Sequence, residues 1–207
     1  MTQETEYEDT KKKLLSTGIR VGTEVKTKFM IPYITQASSD GLYLFDLDIT
    51  LSRIQTAAKF IKKFDIKKVI VYSGRSYAMT PIEKFCELTG AEKMLGRFMP
   101  GTLTNPSLPY YSEPKLIIVS DPQVDAQAIT ESTNAGIPVI GIANTDNITS
   151  KLDLVIPANN RGRKSLATIY WLLSQEILEG QDPKSTETAK YGIDDFETKV
   201  TDVEEEL

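Results

Sequence analysis

The run Leu116-Ile117-Ile118-Val119-Ser120-Asp121-Pro122 decides the fold. Four large aliphatic residues in succession leave no face for water, as expected of a strand in a parallel sheet covered on both sides. The Ser-Asp-Pro that follows ends the strand and can open a helix, with Asp as a cap and Pro in the first turn. The same grammar recurs outward from this point. Residues 42–47, 69–72, 138–142 and 154–156 are short Val, Ile and Leu-rich runs that read as further buried strands. Between them lie helical patterns. Leu51, Ile54, Ala58 and Ile61 form one apolar stripe with Lys59, Lys62 and Lys63 opposite. Thr80-Pro81-Ile82-Glu83 reads as a capping box, with Gly90 as the stop of the helix it opens. Asp121-Pro122 predicts a third helix to about residue 134, and Leu166, Ile169, Tyr170, Leu173 and Ile177 define a fourth, broadened by Trp171 and Leu172.

Strand–helix alternation of this kind predicts an α/β fold: an open, doubly wound, mostly parallel sheet of about five strands with helices on both faces, in the flavodoxin or Rossmann manner. Two stretches fall outside the alternation. Residues 14–41, with Gly18, Gly22, Pro32 and Gly41, suggest an extended lead-in. Residues 94–114, with three Pro and two Gly before Pro114, suggest a long irregular loop of the kind that usually has a function.

The chain has 207 residues, 24 Lys and Arg, 29 Asp and Glu, one Cys and no His. The absence of His removes Ser-His-Asp and Cys-His chemistry and imidazole metal ligands. A single Cys excludes an internal disulfide or a Cys-rich zinc module. No apolar run approaches a membrane span. The net charge of −5 averages unlike parts. Residues 1–10 form an acidic N-terminal end of −4, and residues 181–207 an acidic C-terminal tail of −6. The α/β body over 11–180 is left with +5. The tail has few large apolar residues and is expected to be disordered.

Strand C-termini are the default ligand site of such a sheet, and two readings compete for them. Asp46-Leu47-Asp48-Ile49-Thr50, with Ser73, the Asp121/Asp125 pair and a Lys, resembles the Asp-x-Asp-x-Thr set of haloacid dehalogenase-type phosphatases. Ile49 occupies the position where that family usually has Gly. Lys115 sits at the far end of its strand, roughly 13–17 Å from Ser120 and Asp121 at ~3.3 Å per residue. Lys93 would serve only if the loop folded it back over the strand ends. A free-standing nucleotide- or phosphate-binding protein is a further possibility, but no glycine-rich phosphate loop follows the first strand.

The bases suggest nucleic acid instead. Lys26, Lys28, Arg53, Arg75, Arg97, Arg161, Arg163 and Lys164 recur where turns or element ends would expose them. The segment Gly96-Arg97-Phe98-Met99-Pro100-Gly101-Thr102-Leu103-Thr104-Asn105 can present NH, hydroxyl and amide donors to phosphates and ribose 2′-OH groups, with Arg97, Thr102, Thr104 and Asn105 as the contact group. Asn159-Asn160-Arg161-Gly162-Arg163-Lys164 precedes a helix N-terminus, which also favours anions. No aromatic ladder is visible, so backbone and shape recognition is expected.

These same stretches carry a family resemblance. Leu14-Leu15-Ser16-Thr17-Gly18-Ile19-Arg20-Val21-Gly22-Thr23, Asp40-Gly41-Leu42-Tyr43, the loop motif followed by Glu113-Pro114-Lys115, and Asn144-Thr145-Asp146 through Ile156-Pro157-Ala158-Asn159-Asn160 occur in the order seen in the universal small-subunit ribosomal protein two family. The form resembled is the archaeal and eukaryotic one, which includes the laminin-receptor-precursor protein. The resemblance spans residues 11–180. It implies a structural constituent of the small ribosomal subunit, cytoplasmic, that binds small-subunit ribosomal RNA and neighbouring ribosomal proteins and supports subunit assembly and translation. It implies no catalytic residue, cofactor, metal, membrane or small-molecule substrate. The bacterial helical hairpin has no room here and the long eukaryotic extension is missing, which points to an archaeal source. Residues 107–112 depart from the family pattern, and Asp46 and Asp48 carry no family role.

Overall fold

The computed structural model describes residues 14–178 and 191–199. Strands β1 (Ile34–Ala37) and β2 (Tyr43–Phe45) are followed by helix α1 (Leu47–Ile61), then β3 (Val69–Ser73), α2 (Ser76–Thr89) and β4 (Glu92–Leu95). After the long loop come β5 (Leu116–Val119), α3 (Ala126–Ala135), β6 (Val139–Ala143), β7 (Leu154–Pro157) and α4 (Arg163–Leu178). Five strands form one wholly parallel sheet in the order β4-β3-β5-β6-β7. The chain starts in β3 and winds outward in both directions, which is the doubly wound arrangement the sequence predicts.

Within the apolar runs, neighbouring residues serve opposite cores. Val69, Val71, Leu116, Ile118, Ile140 and Ile142 face α1, α2 and α4, packing with Ile54, Ile61, Phe85, Leu166 and Tyr170. Ile70, Tyr72, Ile117, Val119 and Val139 face α3 and the long loop, packing with Ala128, Ile129, Phe98 and Leu103. Every residue of β3, β5 and β6 is buried. This is why their sequences are continuous rather than alternating.

Several expectations need correction. The run at 42–47 does not join the main sheet. Only Tyr43–Phe45 is a strand, and it pairs antiparallel with Ile34–Ala37 from the lead-in. The fifth parallel strand is instead β4, whose Glu92 and Lys93 are exposed at the sheet edge. Charge at an edge discourages pairing with other chains, and it also hides the strand from an apolar-run criterion. Helix α3 starts at Ala126 rather than at 121–122, because Asp121 to Asp125 is spent on a turn closed by Asp125 N donating to Asp121 O at 2.8 Å.

The capping box at 80–83 is not a helix start either. Helix α2 begins a turn earlier at Ser76, so Pro81 lies inside it. Proline has no N–H, so Tyr77 O loses its i→i−4 donor. The replacement comes from far along the chain: Thr198 Oγ1 donates to Tyr77 O at 3.0 Å. Residues 191–199 thus form a strap across α2 and α4, which corrects the expected disorder for that part of the tail. Phe196 is fully buried in the main core, Trp171 Nε1 donates to Tyr191 O at 3.0 Å, and Arg163 Nη1 reaches Thr198 O at 3.4 Å. Phe196, with Ile193 packed beside it on the core, docks a stretch that is otherwise mostly polar. The acidic N-terminal end and residues 181–190 and 200–207 of the expected tail lie outside the described residues.

The strap's role in mending α2 is testable by a double-mutant cycle. Thr198→Val should cost about 0.5–1.5 kcal/mol, the range for losing one hydrogen bond at a partly buried carbonyl. In the Pro81→Ala background, where a backbone N–H is restored, the cost measured by denaturant unfolding should be distinctly smaller. Equal costs in both backgrounds would show that the hydroxyl does not substitute for the missing donor.

Candidate nucleic-acid interface

The carbonyl ends of β3, β5, β6 and β7 meet in a crevice, and the chain fills it with its own polar groups. Asp125, at the start of α3, accepts from Gly74 N at 2.8 Å and from Asp121 N at 3.0 Å. Asp121 takes the Arg75 guanidinium, with Nε at 2.5 Å, and also accepts from Gln123 N at 2.9 Å. Further along, Asn147 Oδ1 accepts from Asn144 N at 2.6 Å and from Asn160 Nδ2 at 3.0 Å. Ser120 and Tyr170 share a hydrogen bond of 2.8 Å beneath them. Both Asp121 and Asp125 are essentially inaccessible to water. A Cβ at Gly74 would stand 3.1 Å from Val124 Cγ1 and 3.3 Å from the Tyr72 hydroxyl, so these side chains would have to give slightly.

Burial pushes the Asp125 carboxyl up to about 7, with the charge of Asp121 adding to the rise and the backbone donors opposing it. The phosphatase set is not assembled. Asp46 lies beyond the small antiparallel sheet and caps α1, its Oδ1 accepting from Asp48 N at 2.9 Å and Ile49 N at 3.4 Å. Thr50 Oγ1 donates to Pro157 O at 2.8 Å. Lys115 precedes β5, at the opposite end from Asp121. Lys93 lies 2.6 Å from Glu83 on α2. Among the described residues no group of three His, Cys, Asp or Glu is placed to hold a metal ion.

The bases collect along the rim of this same edge. Arg97 follows β4, Arg75 follows β3, and Arg161 follows β7. Four strand gaps of about 4.8 Å make the row from Arg97 to Arg161 roughly 19 Å long. The lead-in joins it: Thr27 N donates to Thr145 O at 2.8 Å and Thr27 Oγ1 to Asn147 O at 2.8 Å, which pins Lys26 and Lys28 beside the loop after β6. Lys26 Nζ stands 4.6 Å from the Tyr43 ring centroid. Arg161 Nη2 pairs with Asp146 Oδ2 at 2.5 Å, and the two line a cleft of about 360 Å³ with Gly22, Thr23, Val25 and Leu42.

Not every expected contact residue presents itself to solvent. Lys26, Lys28, Arg97, Thr104, Asn105, Arg161 and Lys164 are exposed. Thr102 is buried and donates to Met99 O at 2.5 Å, so it shapes the loop from inside. Arg75 is largely committed to Asp121, and Arg163 leans on the strap. Arg53 lies away from the row, on α1, 5.4 Å from the Tyr33 ring. Asn105 Oδ1 accepts from Ser107 N at 3.1 Å, which turns the chain there.

The residue that composition and motif missed is Glu131. Buried on α3, it accepts from Gly101 N at 2.9 Å, Leu103 N at 3.4 Å and Gln127 Nε2 at 2.9 Å. Together with the buried side chains of Phe98 and Leu103 it turns the long loop into a fixed platform. Its signal was an acid set among Ala128, Ile129 and Ser132 on the inner side of α3.

Two measurements check this arrangement. Glu131→Ala should speed amide exchange at Gly101 and Leu103 and cost about 1–3 kcal/mol; unchanged exchange there would show that the loop is held without it. For Asp125 the raised folded value means that the bound proton stabilises the fold. Its contribution is complete below about pH 4 and is lost as pH rises to about 7. The stability of the wild type relative to Asp125→Asn should therefore fall by a few kcal/mol across that window and stay flat above about pH 8. A pH-independent difference would mean that Asp125 titrates like a solvated carboxylate.

A family model described as Ribosomal protein S2 matches residues 109–180. The chain is 69% identical over 205 residues, 99% of each chain, to the small ribosomal subunit protein uS2 of Nitrosopumilus maritimus (strain SCM1). Identity is 57% over 187 residues, 90% of each chain, to uS2 of Cenarchaeum symbiosum (strain A). It is 49% over 188 residues, 90% of this chain and 87% of the relative, to uS2 of Thermofilum pendens (strain DSM 2475 / Hrk 5). With near-complete coverage at such identity, the chain belongs to the uS2 family of small ribosomal subunit proteins, in its archaeal form.

Proposed function

We propose that this protein is a structural component of the small ribosomal subunit in the cytoplasm. It binds ribosomal RNA along the carbonyl edge of its sheet and packs against neighbouring ribosomal proteins, in support of subunit assembly and translation. The observation that carries the RNA surface is the row of bases itself, with Arg97, Lys164, Lys26 and Lys28 displayed along the edge and Arg161 exposed beside its partner Asp146, while Asp121 and Asp125 are turned inward. In most doubly wound folds this edge receives a small ligand. Here the centre of the crevice is taken up by Arg75, Asp121, Asp125, Asn147 and Asn160, which leaves shallower clefts toward its rim. A rigid surface of Arg, Lys, hydroxyl and amide groups suits the phosphates and 2′-OH groups of folded RNA, whose shape the protein reads without base-specific modules. Thr104 and Asn105 on the platform add neutral donors beside Arg97. Exposed Met99 and Tyr110 on the same loop, and Phe29 and Ile31 on the lead-in, offer apolar contact to protein neighbours. No helix among the described residues is long and apolar enough to cross a membrane.

The test is binding of the full chain to small-subunit RNA across a salt series, with incorporation into subunits measured in competition with wild type. Each lost phosphate contact should flatten the log–log salt slope by about 0.7–0.9. Arg97→Ala with Arg161→Ala should flatten it by about twice that and reduce incorporation, with unfolding midpoints close to wild type. An unchanged slope and unchanged incorporation would remove these residues from the interface.

A further inference from the structure

The cleft between the lead-in and the loop after β6 has a chemistry that the basic row does not share. Its volume is about 360 Å³, and the backbone of Gly22 and Thr23 and the side chains of Val25 and Leu42 wall it. The lead-in wall is fixed on Thr145. Thr23 N donates to Thr145 Oγ1 at 2.9 Å, the two hydroxyls meet at 2.8 Å, and Thr27 N donates to Thr145 O at 2.8 Å. The cleft is therefore formed before anything enters it. Its charged groups are Glu24, Asp146 and Arg161, two carboxylates against one guanidinium. Arg161 Nη2 is spent on Asp146 Oδ2 at 2.5 Å. That leaves Asp146 Oδ1, which is buried and accepts no hydrogen bond from the described residues. An unanswered buried acceptor is costly, and a ligand that donates to it removes the cost.

A phosphate does not suit a cleft in which carboxylates outnumber guanidinium. A neutral, flat group with N–H donors does, since its face can lie on Val25 and Leu42 while its edge answers the carboxylate. Lys26 and Lys28, exposed a few residues further along the lead-in, supply cations for phosphates that flank such a group. We propose that this cleft seats one unstacked guanine of the bound RNA, an inference that rests on the RNA-binding reading and deepens it. Guanine alone among the four bases carries two adjacent donors on its Watson–Crick edge, N1–H and the N2 amine, with the O6 acceptor beside them. A carboxylate only accepts and a guanidinium only donates. The Asp146–Arg161 pair thus presents the complementary set: Asp146 takes the two N–H groups, and a remaining N–H of Arg161 donates to O6. Adenine, cytosine and uracil each place an acceptor next to their one donor group, so each sets an acceptor against the carboxylate. The row of bases positions the RNA, and the cleft reads a single nucleotide of it.

The experiment uses the full chain and a short RNA hairpin with one unpaired nucleotide bulged from its stem. Bulged guanine should bind about tenfold tighter than bulged adenine, cytosine, uracil or inosine, the last of which lacks only the N2 amine. Amides of Gly22, Thr23 and Val25 should shift with the guanine hairpin and not with the inosine one. In Asp146→Asn the five hairpins should bind alike, whatever the changed charge does to RNA affinity in general. Equal binding of all five hairpins to the wild type overturns the proposal while leaving the RNA surface standing. A guanine preference that survives Asp146→Asn overturns it as well. So does a preference whose amide shifts fall on Gln123, Ala126 and Ile148, which line the neighbouring cleft. Competition by guanosine 5′-monophosphate at micromolar concentration would show a free-nucleotide site in place of an RNA one, and the proposal would fall. If the hairpins and small-subunit RNA all fail to bind, the RNA reading fails and the guanine seat fails with it.

Discussion

A buried polar group has to be answered from somewhere, and at the carbonyl edge of this sheet most of the answers come from within the chain, with Asp146 Oδ1 and Asn160 Oδ1 left without a hydrogen-bond partner among the described residues. Asp125 satisfies two backbone N–H groups that the turns after β3 and β5 leave over. Asp121 holds Arg75, and Asn147 and Asn160 close the loop after β6 against the start of α4. Leaving such groups unpaired costs about 1–3 kcal/mol each, so the edge is stable only with the whole set in place. A crevice that ordinarily stays open for a ligand is closed at its centre here, and the bases that remain are pushed to its rim. The step from sequence to function passes through this one constraint.

A second long-range tie comes from Pro81. Its missing N–H would leave Tyr77 O unsatisfied near the N-terminus of α2, and Thr198 supplies the donor from 121 residues away. The same strap buries Phe196 against the helices of the main core and sets Thr198 O on Arg163. A local defect in one helix is thus joined to the docking of residues 191–199 beside the start of α4. Packing and surface electrostatics meet at this point.

Much of the fold could be read from the sequence because buried parallel strands write themselves as uninterrupted aliphatic runs. Residues 69–72, 116–119, 138–142 and 154–156 and the α4 stripe are of this kind. What could not be read was held by single contacts. Edge strand β4 carries Glu92 and Lys93 where a run should be. The start of α2 lies before a proline that usually marks a first turn, and the strap is held by Phe196, Ile193 and a few hydrogen bonds within a polar stretch. Among the expected contact residues, exposure separated Arg97, Thr104, Asn105, Arg161, Lys164, Lys26 and Lys28 from Thr102, which faces inward. Composition cannot make that division, since a buried Thr and a displayed Thr look alike until the loop's fold is known. Glu131 went unread for the same reason: its partners are backbone N–H groups, which leave no trace in side-chain chemistry.

Gly22 packs so closely on the loop after β6 that a Cβ there would stand 2.4 Å from Thr145 Cγ2 and 2.8 Å from Tyr43 O. Thr23 N and Oγ1 then bond Thr145 Oγ1 across 122 residues. During synthesis the lead-in emerges among the first segments, yet its seat does not exist until the chain has been made past residue 145. Contacts of such sequence separation form late, because loop closure must precede them. Until then Met30, fully buried against Phe45 and Ala143 in the finished fold, is an apolar group without a home. A segment made early thus settles late, and the interval between leaves it open to misassociation.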